Sequence, residues 1–163
     1  TEAMWTIEIT EALRKCELFA TLSEAEIQEV AALCQVESYE TDEVIYRQGV
    51  RSEKLYVIVE GSVVLKRTIK LEDMETVVAI DDLAAGRAFG WRALMEPRVY
   101  TLSAVCSKPT RVLAVDGTGL RFFIEKEPSV GLEVMTRFAT LLGDRLVASY
   151  RAFESCLLGL RLK

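Results

Sequence analysis

Two hydrophobic periods alternate along this chain, and the points where they change mark out its elements. Residues 8–15 predict a short helix, and Leu18-Phe19-Ala20-Thr21-Leu22 a hydrophobic hinge. Ser23 followed by Glu26 is a capping-box start, and the helix it opens carries Ile27, Val30, Ala31 and Cys34 on one face. From Val36 the pattern shortens to that of strands. Segments around 36–40, 43–47, 54–60, 62–70, 75–80, 101–107 and 110–115 are rich in Val, Ile, Leu and Tyr. Gly49, Gly61, Glu72-Asp73, Asp81-Asp82, Gly86 and Lys108-Pro109 separate them as turns. Seven or eight short strands packed so closely predict a small antiparallel sandwich, roll or barrel.

The helical period returns at Asp116-Gly117-Thr118, which starts a short helix carrying Leu120, Phe123 and Ile124 and ending before Pro128. From Ser129 to about Leu162 runs one long helix. Its apolar stripe is Val130, Val134, Phe138, Leu141, Leu142, Leu146, Tyr150, Phe153 and Leu157. The division expected is residues 1–127 for the N-terminal helices and the β-rich body, and 128–163 for the long helix. A body this small cannot cover such a helix, so its outer half is expected to pack on a second copy as a homodimer. The alternative is a helix that folds back on its own sheet along its whole length.

Composition narrows the chemistry. Half of the 163 residues are hydrophobic and 28% are charged, which suits a folded domain rather than a disordered segment. The net charge of −5 repels phosphate backbones, so nucleic-acid binding by this chain alone is not expected. The mildly basic end (Arg137, Arg145, Arg151, Arg161 and Lys163 against Glu133, Asp144 and Glu154) has the spacing of a solvated helix face. With no histidine, imidazole-based zinc and haem sites are excluded, as are Ser-His-Asp and Cys-His catalysis. Cys16, Cys34, Cys106 and Cys156 form no CxxC pair and read as small buried hydrophobes in a reducing cytoplasm. No apolar run reaches membrane-spanning length. Asp81-Asp82, in an expected turn, are better explained by solvation than by acid–base work. An enzyme is not expected.

The candidate site is Phe89-Gly90-Trp91-Arg92-Ala93-Leu94-Met95-Glu96-Pro97-Arg98-Val99-Tyr100-Thr101. Gly90 opens what reads as one helical turn, where a missing side chain lets ligand oxygens approach backbone N–H groups. Arg98 could bring a planar, permanently charged fork to the same anion. Arg92, beside the turn, would add positive charge or point outward.

This stretch resembles the phosphate-binding cassette of cyclic nucleotide-binding domains, whose usual pattern is Phe-Gly-Glu-x-Ala-Leu followed by Pro-Arg-x-Ala-Thr. Further echoes lie in Leu18-Phe19 with Leu22-Ser23-Glu24, in Val44-Ile45-Tyr46-Arg47-Gln48-Gly49, and in Leu55-Tyr56-Val57-Ile58-Val59-Glu60-Gly61-Ser62-Val63. The resemblance runs from Leu18 to the long helix. It implies a mainly β fold: an eight-stranded antiparallel β-roll of the double-stranded β-helix (jelly-roll) type, with N-terminal helices and a long C-terminal helix.

It also implies a ligand site made of Phe89, Gly90, Trp91, Arg92, Ala93, Leu94, Arg98, Val99, Tyr100 and Thr101, with cyclic AMP or cyclic GMP as ligand and no cofactor beyond it. In the family a glutamate accepts from the ribose 2′-OH and an arginine, here Arg98, pairs with the cyclic phosphate. Trp91 stands where that glutamate is usual, and Tyr100 replaces the customary small residue. Trp91 therefore either fills the sugar site or stacks on a different ligand, and Tyr150 and Phe153 either cap a ligand or belong to the dimer stripe. The function expected is a sensor domain binding a small anion. The alternatives are a degenerate cassette serving as a dimerising interaction domain, and the effector domain of a longer transcription regulator without its DNA-binding part.

Overall fold

The computed structural model describes residues 2–161. Helix α1 (Glu2–Lys15) and α2 (Glu24–Ala31) precede eight strands. These are β1 (Cys34–Tyr39), β2 (Val44–Tyr46), β3 (Lys54–Glu60), β4 (Ser62–Leu71), β5 (Met74–Ala84), β6 (Ala88–Phe89), β7 (Ser103–Cys106) and β8 (Thr110–Asp116). A 3₁₀ turn, Trp91–Leu94, lies between β6 and β7, and α3 (Gly117–Lys126) and α4 (Pro128–Arg161) close the chain. The strands form two four-stranded sheets, ordered β1-β8-β3-β6 and β2-β7-β4-β5, with every pairing antiparallel. This is the β-roll with flanking helices that the resemblance implied.

Strands β3 and β8 read as unbroken apolar runs because both of their faces are buried. Leu55, Val57, Leu113 and Val115 face a core shared with Leu13, Phe19, Ile27, Leu120, Val134 and Phe138 of the helices and hinge. Tyr56, Ile58, Val112 and Ala114 face the interior of the roll, with Tyr46, Leu65, Leu83, Phe89 and Tyr100. The β3–β4 turn needs glycine. Gly61 has a φ of 104°, and a Cβ there would lie 2.4 Å from Thr110 Oγ1 and 2.6 Å from Thr110 Cα.

The capping box forms as expected: Glu26 N donates to Ser23 Oγ and Ser23 N to Glu26 Oε1. Asp116 caps α3 by accepting from Gly119 N at 2.9 Å. Four elements differ from expectation. Helix α2 ends at Ala31, so Cys34 opens β1 and does not continue the helix face. Helix α1 begins well before residue 8, at Glu2. Strand β6, too short to carry a period, pairs Phe89 with Tyr56 and Ala88 with Val57. Asp81-Asp82 is not a turn: β5 continues through it to Ala84, with Asp81 opposite Leu65 and Asp82 opposite Val64. A register shift between Leu65 and Lys66 gives β5 an extra residue, and Ser62 Oγ donates to Asp82 Oδ1 at 2.8 Å, so the second carboxylate is engaged across the ladder.

Helix α4 divides its apolar stripe in two. Val130, Val134 and Phe138 are buried, and Arg137 anchors this half by donating from Nε and Nη2 to the Glu17 carbonyl at 3.0 and 2.8 Å. Leu141 still packs against this core, and from Leu142 onward the stripe stands exposed, Leu146 at 65% and Phe153 at 64%. The helix therefore does not fold back on the roll along its whole length.

Candidate functional site

The strand β6 delivers Phe89, fully buried, to the edge of the roll interior, and Gly90 turns the chain there. Gly90 has φ 77° and ψ 33°, the left-handed region that glycine enters without a Cβ penalty. A Cβ at this position would lie 3.1 Å from the Lys54 carbonyl and 3.2 Å from the Tyr56 ring. The turn Trp91–Leu94 follows, closed by Ala93 N donating to Gly90 O and Met95 N to Arg92 O. Ala93 is fully buried in the helix-side core, and its carbonyl accepts from Arg121 of α3, so α3 supports the turn from behind.

Trp91 does not reach into the roll. Its indole N–H donates to the Ala88 carbonyl at 3.1 Å, and the ring edge meets Phe138 of α4, with centroids 5.4 Å apart at 85°. Its face carries the Arg145 guanidinium of α4, 4.1 Å from the ring centroid. A cation over tryptophan is favourable by about 0.5–2 kcal/mol, more as water is excluded. Trp91 thus grips α4 at two residues spaced seven apart on one helix face.

A cavity of about 530 Å³ opens between this turn and α4. Phe89, Gly90, Trp91 and Arg92 line it from the turn, and Tyr100, Thr101 and Leu102 from the segment before β7. Ile80 and Asp81 of β5 line it as well, as do Leu142, Arg145 and Ser149 of α4. The roll interior behind is filled by aromatic rings. Tyr46 and Tyr100 stack with centroids 3.6 Å apart, and the Tyr100 hydroxyl donates to the Lys54 carbonyl at 2.7 Å. Burial pushes the Tyr46 and Tyr56 hydroxyls well above their usual titration range, so both stay neutral.

Of the residues expected at the site, Phe89, Gly90, Trp91, Arg92, Tyr100 and Thr101 line the cavity. Ala93 and Leu94 pack beneath the turn against the helix-side core. Arg98 and Val99 do not line the cavity. Arg98 Nη2 pairs with Glu96 Oε1 at 2.8 Å, and its Nε is buried without a hydrogen-bond partner. Val99 is 40% exposed and bridges Arg51.

The charged groups that face the cavity from the other side were not expected there. Arg145 lies with its Nη1 3.5 Å from Asp81 Oδ2, and its Nη2 is buried with no hydrogen-bond partner. Burial pulls its pKa down, an effect partly offset by Asp81. The sequence signal for Arg145 was its place seven residues after Phe138, which puts it on the packed face of the helix rather than the solvated one.

The cyclic nucleotide-binding domain model matches residues 36–127. A candidate potassium-channel protein of Rhodopseudomonas palustris is 32% identical over 119 residues, which cover 72% of this chain and 27% of that protein's length. The catabolite activator protein of Thermus thermophilus superposes with a TM-score of 0.67 at 27% identity, over 85% of this chain and 62% of its own. A cyclic nucleotide-binding domain from Methylobacillus flagellatus shares the fold at a TM-score of 0.76 and 23% identity, over 91% of this chain and 82% of its own.

Proposed function

The chain belongs to the cyclic nucleotide-binding domain family, and on that footing we propose that it is a regulatory domain receiving a small anionic ligand, cyclic AMP or cyclic GMP, in the cavity beneath α4. The observation that carries this reading is the cavity's construction. One wall is the cassette turn with Tyr100 and Thr101, the other is α4, and two arginines face it against one aspartate. That balance favours an anion, and the apolar lining suits a planar purine. Because α4 forms part of the wall, a ligand bound there has a different affinity for different placements of the helix. That difference is what a sensor requires. Arg98 would join the site by exchanging Glu96 for the ligand.

The exposed stripe from Leu142 onward supports a homodimer through α4, which would carry the helix movement to a second copy or to an attached domain. The four cysteines are unpaired, which fits a reducing cytoplasm, although Cys156 is exposed and not the buried hydrophobe expected; the family match fits a domain that acts by binding. The pairing of Arg98 with Glu96 and the indole bond to Ala88 favour a second reading, a domain that binds no cyclic nucleotide and serves only to dimerise.

Titration calorimetry with cyclic AMP and cyclic GMP separates the two. The ligand-binding reading expects saturable binding with a dissociation constant in the micromolar range for at least one nucleotide. No heat with either, at protein concentrations near millimolar, would leave the dimerising domain.

A further inference from the structure

We infer that Asp81 of β5, with Arg145 of α4 beside it, reads the base of the ligand and selects guanine over adenine. This rests on the reading of the cavity as a cyclic nucleotide site, and it leaves the phosphate to Arg98 and the cassette turn. The argument starts from where Asp81 points. It lies opposite Leu65, and Leu83, two residues on, lies opposite Val63. Those three apolar side chains all belong to the buried interior of the roll, so Asp81 is a carboxylate on the inward face of its strand. The extra residue at the β4–β5 register shift re-aims the strand at this point. Among the described residues, Asp81 is the only carboxylate that lines the cavity. Its neighbour Asp82 is taken up by Ser62 instead.

Two contacts orient the group. Asp82 N donates to Asp81 Oδ1 at 2.9 Å, and Arg145 Nη1 stands 3.5 Å from Oδ2. The second separation is longer than a good hydrogen bond, so Oδ2 keeps acceptor capacity and the guanidinium keeps donors for a ligand. The Trp91 ring lies under that guanidinium, 4.1 Å from its central carbon to the ring centroid, and holds its plane. Other polar groups of the wall are already committed. The Trp91 indole N–H donates to the Ala88 carbonyl, and the Tyr100 hydroxyl to the Lys54 carbonyl.

A carboxylate and a guanidinium side by side set two acceptors next to a row of donors. Guanine carries the complement. Its N1–H and its exocyclic N2 amine donate in parallel to a carboxylate, and O6 accepts from an arginine. Adenine has an amine at C6, but its N1 is unprotonated and turns a lone pair toward the carboxylate. Adenine therefore makes fewer charge-assisted bonds here and leaves an acceptor of Asp81 without a partner.

The test is titration calorimetry of the full chain with cyclic GMP, cyclic IMP and cyclic AMP. Cyclic IMP keeps N1–H and O6 and lacks the N2 amine, so it isolates one of the two bonds to Asp81. The expected order of affinity is cyclic GMP, then cyclic IMP, then cyclic AMP, with about tenfold or more between first and last. This series uses the wild-type protein and does not depend on a variant that folds. Asp81→Asn is then expected to remove most of the ratio between cyclic GMP and cyclic AMP.

Cyclic AMP bound as tightly as cyclic GMP by the wild type would overturn the base assignment and leave the ligand site standing. So would an Asp81→Asn protein that changes both affinities by the same factor, as a structural role or a general effect of charge predicts. Binding of neither nucleotide removes the proposed function itself, and this assignment with it.

Discussion

Gly90 sets the geometry on which the cassette turn depends. Its left-handed backbone and the 3.1 Å approach of the Lys54 carbonyl leave an added methyl both strained and crowded. Gly90→Ala is expected to cost about 1–3 kcal/mol, since a non-glycine residue must hold a left-handed conformation while the turn shifts. Urea denaturation would show a lower midpoint, and an unchanged midpoint would mean that the turn accommodates the methyl. This residue was legible in the sequence because glycine reports on its own backbone. So was Ser23, whose cap is completed three residues away. The arginines were not. Glu96, two residues before Arg98, pairs with it locally, and no pattern within the cassette reveals that competition. Arg145 meets Trp91 across a stretch of chain that holds β7, β8 and α3, too far for any local pattern to show.

The elements most open to misreading are those whose local preference is overruled by a neighbour. Aspartates are poor strand formers, so Asp81-Asp82 reads as a turn. The hydrogen bond from Ser62 and the register shift in β4–β5 keep both in β5, and the shift brings Asp81 to the cavity. Helix α4 shows the opposite case. Its period was plain along its length, but a period cannot say which turns meet their own domain. The structure buries the stripe to Phe138 and exposes Leu146, Tyr150, Phe153 and Leu157. If this half pairs with a second α4, the wild-type chain sediments as a dimer, and Leu146→Glu combined with Phe153→Glu sediments as a folded monomer. A wild-type monomer at high concentration would contradict the pairing.

Across the whole molecule, two cores share the sheet made of β1, β8, β3 and β6, one on its helix side and one inside the roll. The cassette turn is attached to both, through Ala93 to the helices and through Phe89 to the roll. The hinge after α1 adds a second tie. Glu17 pairs with Arg87 at 3.3 Å, accepts from the Ala88 N–H, and offers its carbonyl to Arg137 of α4. The start of the cassette and the base of α4 are thus held by one residue, and their tops by Trp91. A ligand between them acts on a frame whose parts are already joined. The four helices and seven of the strands were legible from hydrophobic period and turn residues, whereas the eight-stranded roll was read from the resemblance. The cavity was not legible from pattern, because its walls come from segments far apart in the chain.

Titration of ¹⁵N-labelled protein with cyclic AMP and, separately, cyclic GMP, followed by NMR, addresses this account most directly. It expects the Trp91 indole N–H and the Arg145 Nε–H signals to shift together, with the amides of the Gly90–Leu94 turn and of residues 142–149 of α4. Shifts confined to surfaces away from this cavity, or none at saturating nucleotide, would contradict it.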